Sequence, residues 1–382
     1  MIIYIIPTSY PDEVNPVRNV FIYEQVKALS KRHKIVVLNV KKLPSKDLFR
    51  HIDSVINVSI DEFSTRYYIE QKTIMDTKMS LYNKKMFCKR MEELFEYAEE
   101  KEGTPDVIYA HFSCWAGLAA CEIARKKNVP VAVLEHYSGY MEKNCKPFYK
   151  KGLKEVANSA DVMCAVSDGL KNAMNNIVGK SISINTIPNM IDDCFTFKNK
   201  VEKNKFVFLS IANLNKRKRV FELVNTFIKT FNENDPVELR IGGHGEEYEK
   251  INGLIKMNRR ENQIILLGRL NREQTLKEYT YSDCFVLASS AETFGLVYRE
   301  AMGVGRPIIT TNHGGFSGAD WNDGCGLLID VDDFNGLSKA MVHMVINKEK
   351  YDNKYISEYC LSRYSMDTIG AKIETVLSRI CE

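Results

Sequence analysis

Short, nearly continuous apolar runs recur along the chain, separated by stretches in which apolar residues return every three to four positions. The runs are Met1–Ile6, Lys34–Val40, Asp106–Ala110, Pro130–Glu135, Asp161–Val166 and Ser183–Ile187. A second set comprises Phe206–Ile211, Val237–Ile241, Ile264–Leu267, Cys284–Leu287, Pro307–Thr310 and Cys325–Asp330. Amphipathic stretches such as Phe221–Phe231 and Gln274–Tyr281 lie between them. A strand that is apolar on both faces must be covered on both. Alternation of such strands with helices therefore predicts parallel sheets flanked by helices, an α/β chain of doubly wound type.

The chain has 382 residues, long for one core, so two domains are expected. Pro188-Asn189 closes a strand, and the polar, lysine-rich stretch Phe197–Lys205 precedes the next buried one. This places the boundary near 195, giving Rossmann-like domains over 1–195 and 196–364. Residues 365–382 read as a C-terminal helix after Phe334–Lys348 and Lys350–Arg363; it could pack on either domain, crossing back to the first in one arrangement. Ligands of doubly wound sheets bind beyond the carboxyl ends of the strands, so a cleft between two such domains is the expected site.

Composition changes this picture little. The apolar fraction of 45% and charged fraction of 27% are those of an ordinary globular protein. A formal charge of +4 is too small to point to nucleic acid, and no such partner is expected. No apolar run reaches the ~18 residues of a spanning helix. The first run lacks a basic leader and a cleavage site, and reads as a buried strand. The ten cysteines are scattered, without Cys-x-x-Cys or zinc spacing, as in reduced thiols of a cytoplasmic protein.

The chemistry concentrates in Ser289–Thr311. A strand ends at Leu287–Ala288, a small polar turn follows, a helix starts near Phe294 or Gly295 and stops at Gly303-x-Gly305, and Pro307 opens the next strand. The amides of a helix start can donate to anions or sugar hydroxyls. Gly295 lets a ligand approach the backbone. Glu292 in the turn and Glu300 on the helix can each accept several hydrogen bonds from hydroxyls, as polyol recognition requires. Two glutamates alone are as readily an ordinary helix surface; the whole string is more specific.

That string resembles the Glu-x7-Glu signature of retaining glycosyltransferases of family 4, which have the GT-B fold. Glu292 and Glu300 match the two glutamates, and Phe294-Gly295 and Glu300-Ala301-Met302 match their surroundings. The resemblance implies that Glu292 contacts the donor sugar, Glu300 the nucleotide ribose, and the amides around Phe294, Gly295 and Leu296 the sugar. Asn213-Leu214-Asn215-Lys216-Arg217-Lys218-Arg219 follows the first strand of the second domain, where four cations can neutralise a diphosphate. By the resemblance Lys218 matches the family's lysine, Asn213 stands where many members have arginine, and Arg219 replaces the usual glycine. Arg217 or Arg219 then becomes the candidate for the missing charge. Gly243, in Ile241-Gly242-Gly243-His244, matches the family's glycine turn; Arg269 and Leu270 match the loop that meets the base. Asn312-His313-Gly314-Gly315 matches the loop after the next strand. In the first domain His136 matches a histidine near the reacting centre. Asn19 holds a position commonly glycine, and a structural role is at least as good a reading for His111.

The function implied is transfer of a hexose or N-acetylhexosamine from a UDP- or GDP-sugar, with retention and without a metal cofactor, to a glycan, lipid-linked or protein acceptor. Alternatives are an epimerase, hydrolase or phosphorylase on the same fold, and a non-catalytic nucleotide-sugar or glycan binder. Asp330-Val331-Asp332 has metal-binding spacing but lies after a C-terminal strand, away from a nucleotide site. Lys72–Arg90 carries six basic residues among Met75, Met79, Tyr82, Met86 and Phe87. It reads either as a helix packed on the sheet with a solvated basic face or as a peripheral contact with anionic lipid at the inner face of the plasma membrane.

Overall fold

The computed structural model describes residues 1–13, 18–43, 55–72, 80–142, 144–179, 181–316 and 321–382, without the side chains of 42, 43, 72, 80 and 81. The chain divides into two compact units: Met1–Met190 with Met366–Glu382, and Ile191–Ser365. The division thus falls at Met190/Ile191, five residues before the boundary drawn from the sequence.

The first unit holds β1 (Ile2–Pro7), α1 (Val20–Ser30), β2 (Lys34–Leu43), β3 (Asn57–Ile60), β4 (Thr65–Lys72) and α2 (Ser80–Glu102). Then come β5 (Val107–His111), α3 (Leu118–Lys127), β6 (Val131–Glu135), α4 (Pro147–Ala157), β7 (Val162–Ala165), α5 (Asp168–Val178) and β8 (Ile184–Thr186). Its eight strands lie in the order β3-β4-β2-β1-β5-β6-β7-β8, parallel except for the edge strand β3. Every residue of β5 and β6 is buried, as apolar runs between two helical layers require.

Strands β3 and β4 are absent from the sequence reading, which sought continuous apolar runs. β4 alternates instead: Tyr67 and Ile69 are buried, while Arg66 turns out to lie over the rings of Tyr68 and Tyr10 at 4.9 and 5.9 Å. On α2, Phe87, Met91, Leu94, Phe95 and Ala98 are buried and form its core face, while Tyr82 is exposed and Met86 half-buried. Lys84 pairs with Glu155 at 3.0 Å, and Lys85 and Lys89 are exposed. Residues 73–79 of the basic stretch lie outside the described residues.

The last helix, α12 (Met366–Cys381), belongs to this first unit. It buries Ile369, Ile373 and Leu377, and Lys31 and Arg32 at the end of α1 pair with its Asp367 and Glu374 at 2.8 and 2.7 Å.

The second unit is β9 (Phe206–Ile211), α6 (Val220–Thr230), β10 (Val237–Gly242), α7 (Tyr248–Met257), β11 (Ile264–Gly268) and α8 (Arg272–Tyr281). It continues with β12 (Cys284–Leu287), α9 (Leu296–Gly303), β13 (Ile308–Thr311), β14 (Gly326–Ile329), α10 (Phe334–Ile346) and α11 (Asn353–Tyr364). All six strands are parallel, in the order β11-β10-β9-β12-β13-β14. The order reverses between β9 and β12. At such a switch point the loops leaving the two neighbouring strands run to opposite sides and open a crevice.

Candidate functional site

The two loops at this switch point carry the cation and the carboxylate singled out in the sequence. After β9 the chain runs through Asn213 and Leu214 into a 3-10 turn, Lys216–Lys218. Asn215 caps it, its side chain accepting from the Lys218 amide at 3.3 Å. Leu214 is fully buried and anchors the loop to its neighbour after β10, its amide donating to the His244 carbonyl at 3.1 Å. Gly243 makes that approach possible. Its φ is +130°, and a Cβ there would sit 1.8 Å from the Ala212 carbonyl oxygen. Gly243 therefore shapes the loop, and its amide is spent on the Gly268 carbonyl at 2.7 Å.

After β12 the chain enters Ser289-Ser290-Ala291-Glu292. The Ser290 amide and hydroxyl both donate to the Arg217 carbonyl, at 2.8 and 3.1 Å, and the Ser289 hydroxyl does so at 3.3 Å. These bonds stitch the two loops together and bring the Lys218 ammonium onto Glu292 Oε1. The two side chains are 15% and 11% exposed. Burial pushes the Glu292 carboxyl up, but the Lys218 charge and hydrogen bond outweigh it and hold the group below its usual range, ionised.

His313 follows β13 beside this pair. Its Nδ1 accepts from the Gly315 amide at 3.0 Å, which assigns the ring proton to Nε2, facing Thr310 Oγ1 at 3.3 Å. Burial pushes it down to about 4, so the ring is neutral near pH 7.

Gly295 caps α9 in the left-handed region, φ +80°, with Phe294 buried just before it. The first amides of α9, from Leu296 on, have no partner within the helix. One turn further, Glu300 Oε2 accepts from the Tyr279 hydroxyl at 3.1 Å. Burial raises Glu300 to about 6, against the opposing effects of Arg272 and of Tyr279. Arg272 itself pairs with Asp192 at 3.0 Å.

The remaining residues are placed as follows. Asn213 and Arg269 are exposed, and Arg217 is half-buried. Leu270 packs against Gly242. Arg219 lies beside Asp332 and Glu222. Its φ is +54°, the left-handed conformation that explains why a glycine suits the position, and its guanidinium is engaged by Asp332 at 2.9 Å and by Glu222 at 3.8 Å. The same contact ties up Asp332 of the Asp-x-Asp sequence.

The first unit has its own switch point, between β1 and β5. There His111 Nδ1 and His136 Nε2 meet at 3.1 Å, both rings buried, with Phe21 stacked on His136 at 4.5 Å. Burial drives His111 down to about 3 and His136 well below its ordinary value, so both are neutral. Glu135, missed by the sequence reading, organises these loops. It is fully buried and accepts from the Ser113, His136 and Tyr137 amides, each at 2.8 Å. Asn19 sits at φ +51° and donates to Ser9 Oγ at 2.8 Å. Asparagine tolerates that conformation better than most residues, which accounts for its use where glycine is common.

Two doubly wound, Rossmann-like units of this kind are the parts of the GT-B fold. Two family models match nearly the whole chain: "Glycosyltransferase Family 4" over residues 19–194 and "Glycosyl transferases group 1" over 193–359. The chain belongs to glycosyltransferase family 4. It is 28% identical over 228 residues to N-acetyl-alpha-D-glucosaminyl L-malate synthase of Bacillus anthracis, covering 57% of this chain and 59% of that one. The chain thus spans about three fifths of that relative's length. It is 24% identical over 308 residues to alpha-monoglucosyldiacylglycerol synthase of Acholeplasma laidlawii, covering 72% of each. Among solved structures it resembles sucrose-phosphate synthase of Thermosynechococcus elongatus, with a TM-score of 0.79 at 17% identity over 99% of this chain and 98% of that one. Anabaena HepE in complex with UDP gives a TM-score of 0.72 at 16% identity over 99% of each.

Proposed function

We propose that this glycosyltransferase moves a hexose or N-acetylhexosamine from a UDP- or GDP-sugar to a hydroxyl of a glycan, glycolipid or protein acceptor. The proposed reaction retains the anomeric configuration, needs no metal cofactor, and serves surface polysaccharide or glycoconjugate synthesis in the cytoplasm. The observation that carries this reading is the Lys218–Glu292 pair at the β9/β12 switch point. Cleaving a nucleotide sugar leaves a diphosphate that gains charge as the glycosidic bond stretches. An ammonium already placed and partly shielded from water stabilises that charge without reorganising. Lys218 would take this role with Arg217 beside it, Glu292 would turn to the donor-sugar hydroxyls, and Glu300 would accept from the ribose. His136 is proposed to serve the acceptor side. Retention fits a front-face route in which the leaving phosphate takes the acceptor proton. Two relatives are named for alpha-linked products and the HepE structure carries UDP, which supports the donor class and stereochemistry.

A thermal-shift screen against UDP, GDP and their sugars tests the donor. A ligand that binds only the folded state raises the melting temperature, and no shift with any of them would remove the reading. The anomeric proton coupling of the product tests retention. Donor consumption without an acceptor would instead favour a hydrolase or epimerase. A contact with anionic lipid is proposed for the exposed Lys85, Lys89 and Tyr82 of α2. Vesicle flotation tests it, and absence of salt-sensitive binding ends it.

A further inference from the structure

Arg299 and Arg306 are the largest fully buried side chains among the described residues, and the surroundings of Arg299 are unusual for a cation. Its hydrogen bonds go to backbone carbonyls: one guanidinium nitrogen, Nη1, to Phe294 and, at 3.5 Å, to Gly295; the other, Nη2, to Gly315 at 3.0 Å. The faces of Phe294, Phe316 and Tyr364 lie 3.7, 4.0 and 4.7 Å from its central carbon. Among the described residues no carboxylate forms an ion pair with it. A charge held this way loses its hydration, and carbonyls and ring faces restore only part of it. An apolar side chain of the same size would fill the space at lower cost. The guanidinium must therefore supply something besides volume.

What it supplies is direction. A trans peptide is planar, with the carbonyl and the following amide pointing opposite ways. Drawing the Phe294 oxygen to the buried guanidinium turns the Gly295 amide away from it. The Gly295 oxygen is held inside α9 by the Tyr298 amide at 3.2 Å, with Nη1 of Arg299 further off at 3.5 Å. The third bond fixes the Gly315 carbonyl, in the loop that carries His313. Gly295, at φ +80°, has no side chain to hold this turn in place, so its orientation must come from elsewhere.

We propose that Arg299 is a positioning residue for sugar transfer: from inside the unit it aims the Gly295 amide at the donor sugar. This rests on the donor-site reading above. The test compares Arg299→Met and Arg299→Lys with the wild type for melting temperature, UDP and GDP affinity, and kcat and KM for the nucleotide sugar. Arg299→Met keeps bulk and loses the fork; Arg299→Lys can still reach one carbonyl. A folded Arg299→Met is expected to bind the bare nucleotide within about threefold of wild type, since Lys218 and Glu300 are untouched. Its kcat should fall about 100-fold, the scale of one lost backbone donor, with Arg299→Lys intermediate. A folded Met variant with wild-type kcat overturns the proposal. If only Arg299→Lys folds, its wild-type kcat does the same. Two variants that do not fold make Arg299 a folding residue and also overturn it. A wild type that binds no nucleotide sinks the donor-site reading itself, a distinguishable failure.

Discussion

Lys218 and Glu292 form an ion pair across 74 residues of sequence, because the loops that carry them leave adjacent parallel strands at the point where the strand order reverses. The pair is largely out of water, so each partner sets the cost of losing the other.

Lys218→Ala leaves a shielded carboxylate unpaired. It should destabilise the second unit by about 1–3 kcal/mol and lower kcat by roughly 10²–10³. Glu292→Ala leaves the ammonium to the diphosphate alone, so UDP or GDP should bind as tightly as to wild type or tighter while transfer falls. Because Glu292 is held below its ordinary value, the pair's stabilisation is present above about pH 4.5 and is lost as the pH drops through the lowered value. Calorimetric nucleotide binding with steady-state kinetics separates the two variants. Weaker nucleotide binding in Glu292→Ala than in Lys218→Ala would reverse the assignment.

Glu300 titrates in the opposite sense. Its folded value of about 6 lies above the ordinary 4.5. Between these values the folded protein holds a proton that the unfolded chain has released, so stability declines as pH rises from about 4.5 to 6 and then levels. Glu300→Gln should therefore stabilise the protein at pH 7–8 by up to roughly 2 kcal/mol, at ~1.4 kcal/mol per pKa unit. The ionised carboxylate is the better acceptor for a diol, so KM for a nucleotide sugar should fall as pH rises from 5 to 7. That dependence should flatten in Glu300→Gln. A variant with the wild-type pH profile of KM would detach Glu300 from the ribose.

Arg219→Gly relieves a left-handed conformation that costs a side-chain-bearing residue about 1–2 kcal/mol. It removes partly exposed ion pairs to Asp332 and Glu222 worth about 0–1 kcal/mol. The expected outcome is unchanged or slightly raised stability, with kcat within about threefold of wild type. A loss beyond tenfold would restore Arg219 to the diphosphate site.

Glu135→Gln removes one oxygen from a carboxylate that serves three amides, leaving a buried donor unsatisfied. A stability loss of about 1–3 kcal/mol is expected in the first unit, read from chemical denaturation. The melting shift produced by UDP or GDP should persist, since the donor residues lie in the other unit. Abolition of nucleotide binding would contradict that separation.

The sequence by itself determined the doubly wound architecture and singled out the segment proposed to handle the donor. Both are written locally: apolar runs with helical spacing between them reveal strands buried on two faces, and Ser289–Thr311 carries its turn, helix start and carboxylates in one contiguous stretch. It was silent on β3 and β4, because an alternating strand such as Thr65–Lys72 pairs charged and aromatic residues that look like surface. It named Lys218 by resemblance and left Arg217 and Arg219 as alternatives for a second charge. Four basic residues in a row look alike until the backbone turns Lys218 toward Glu292 and Arg219 toward Asp332. Whether Met366–Glu382 joined the first unit, what surrounds Arg299, and why Glu135 lies at the heart of its loops depended on contacts between segments distant in sequence. Those are products of packing and strand order, and no periodicity along a single chain records them.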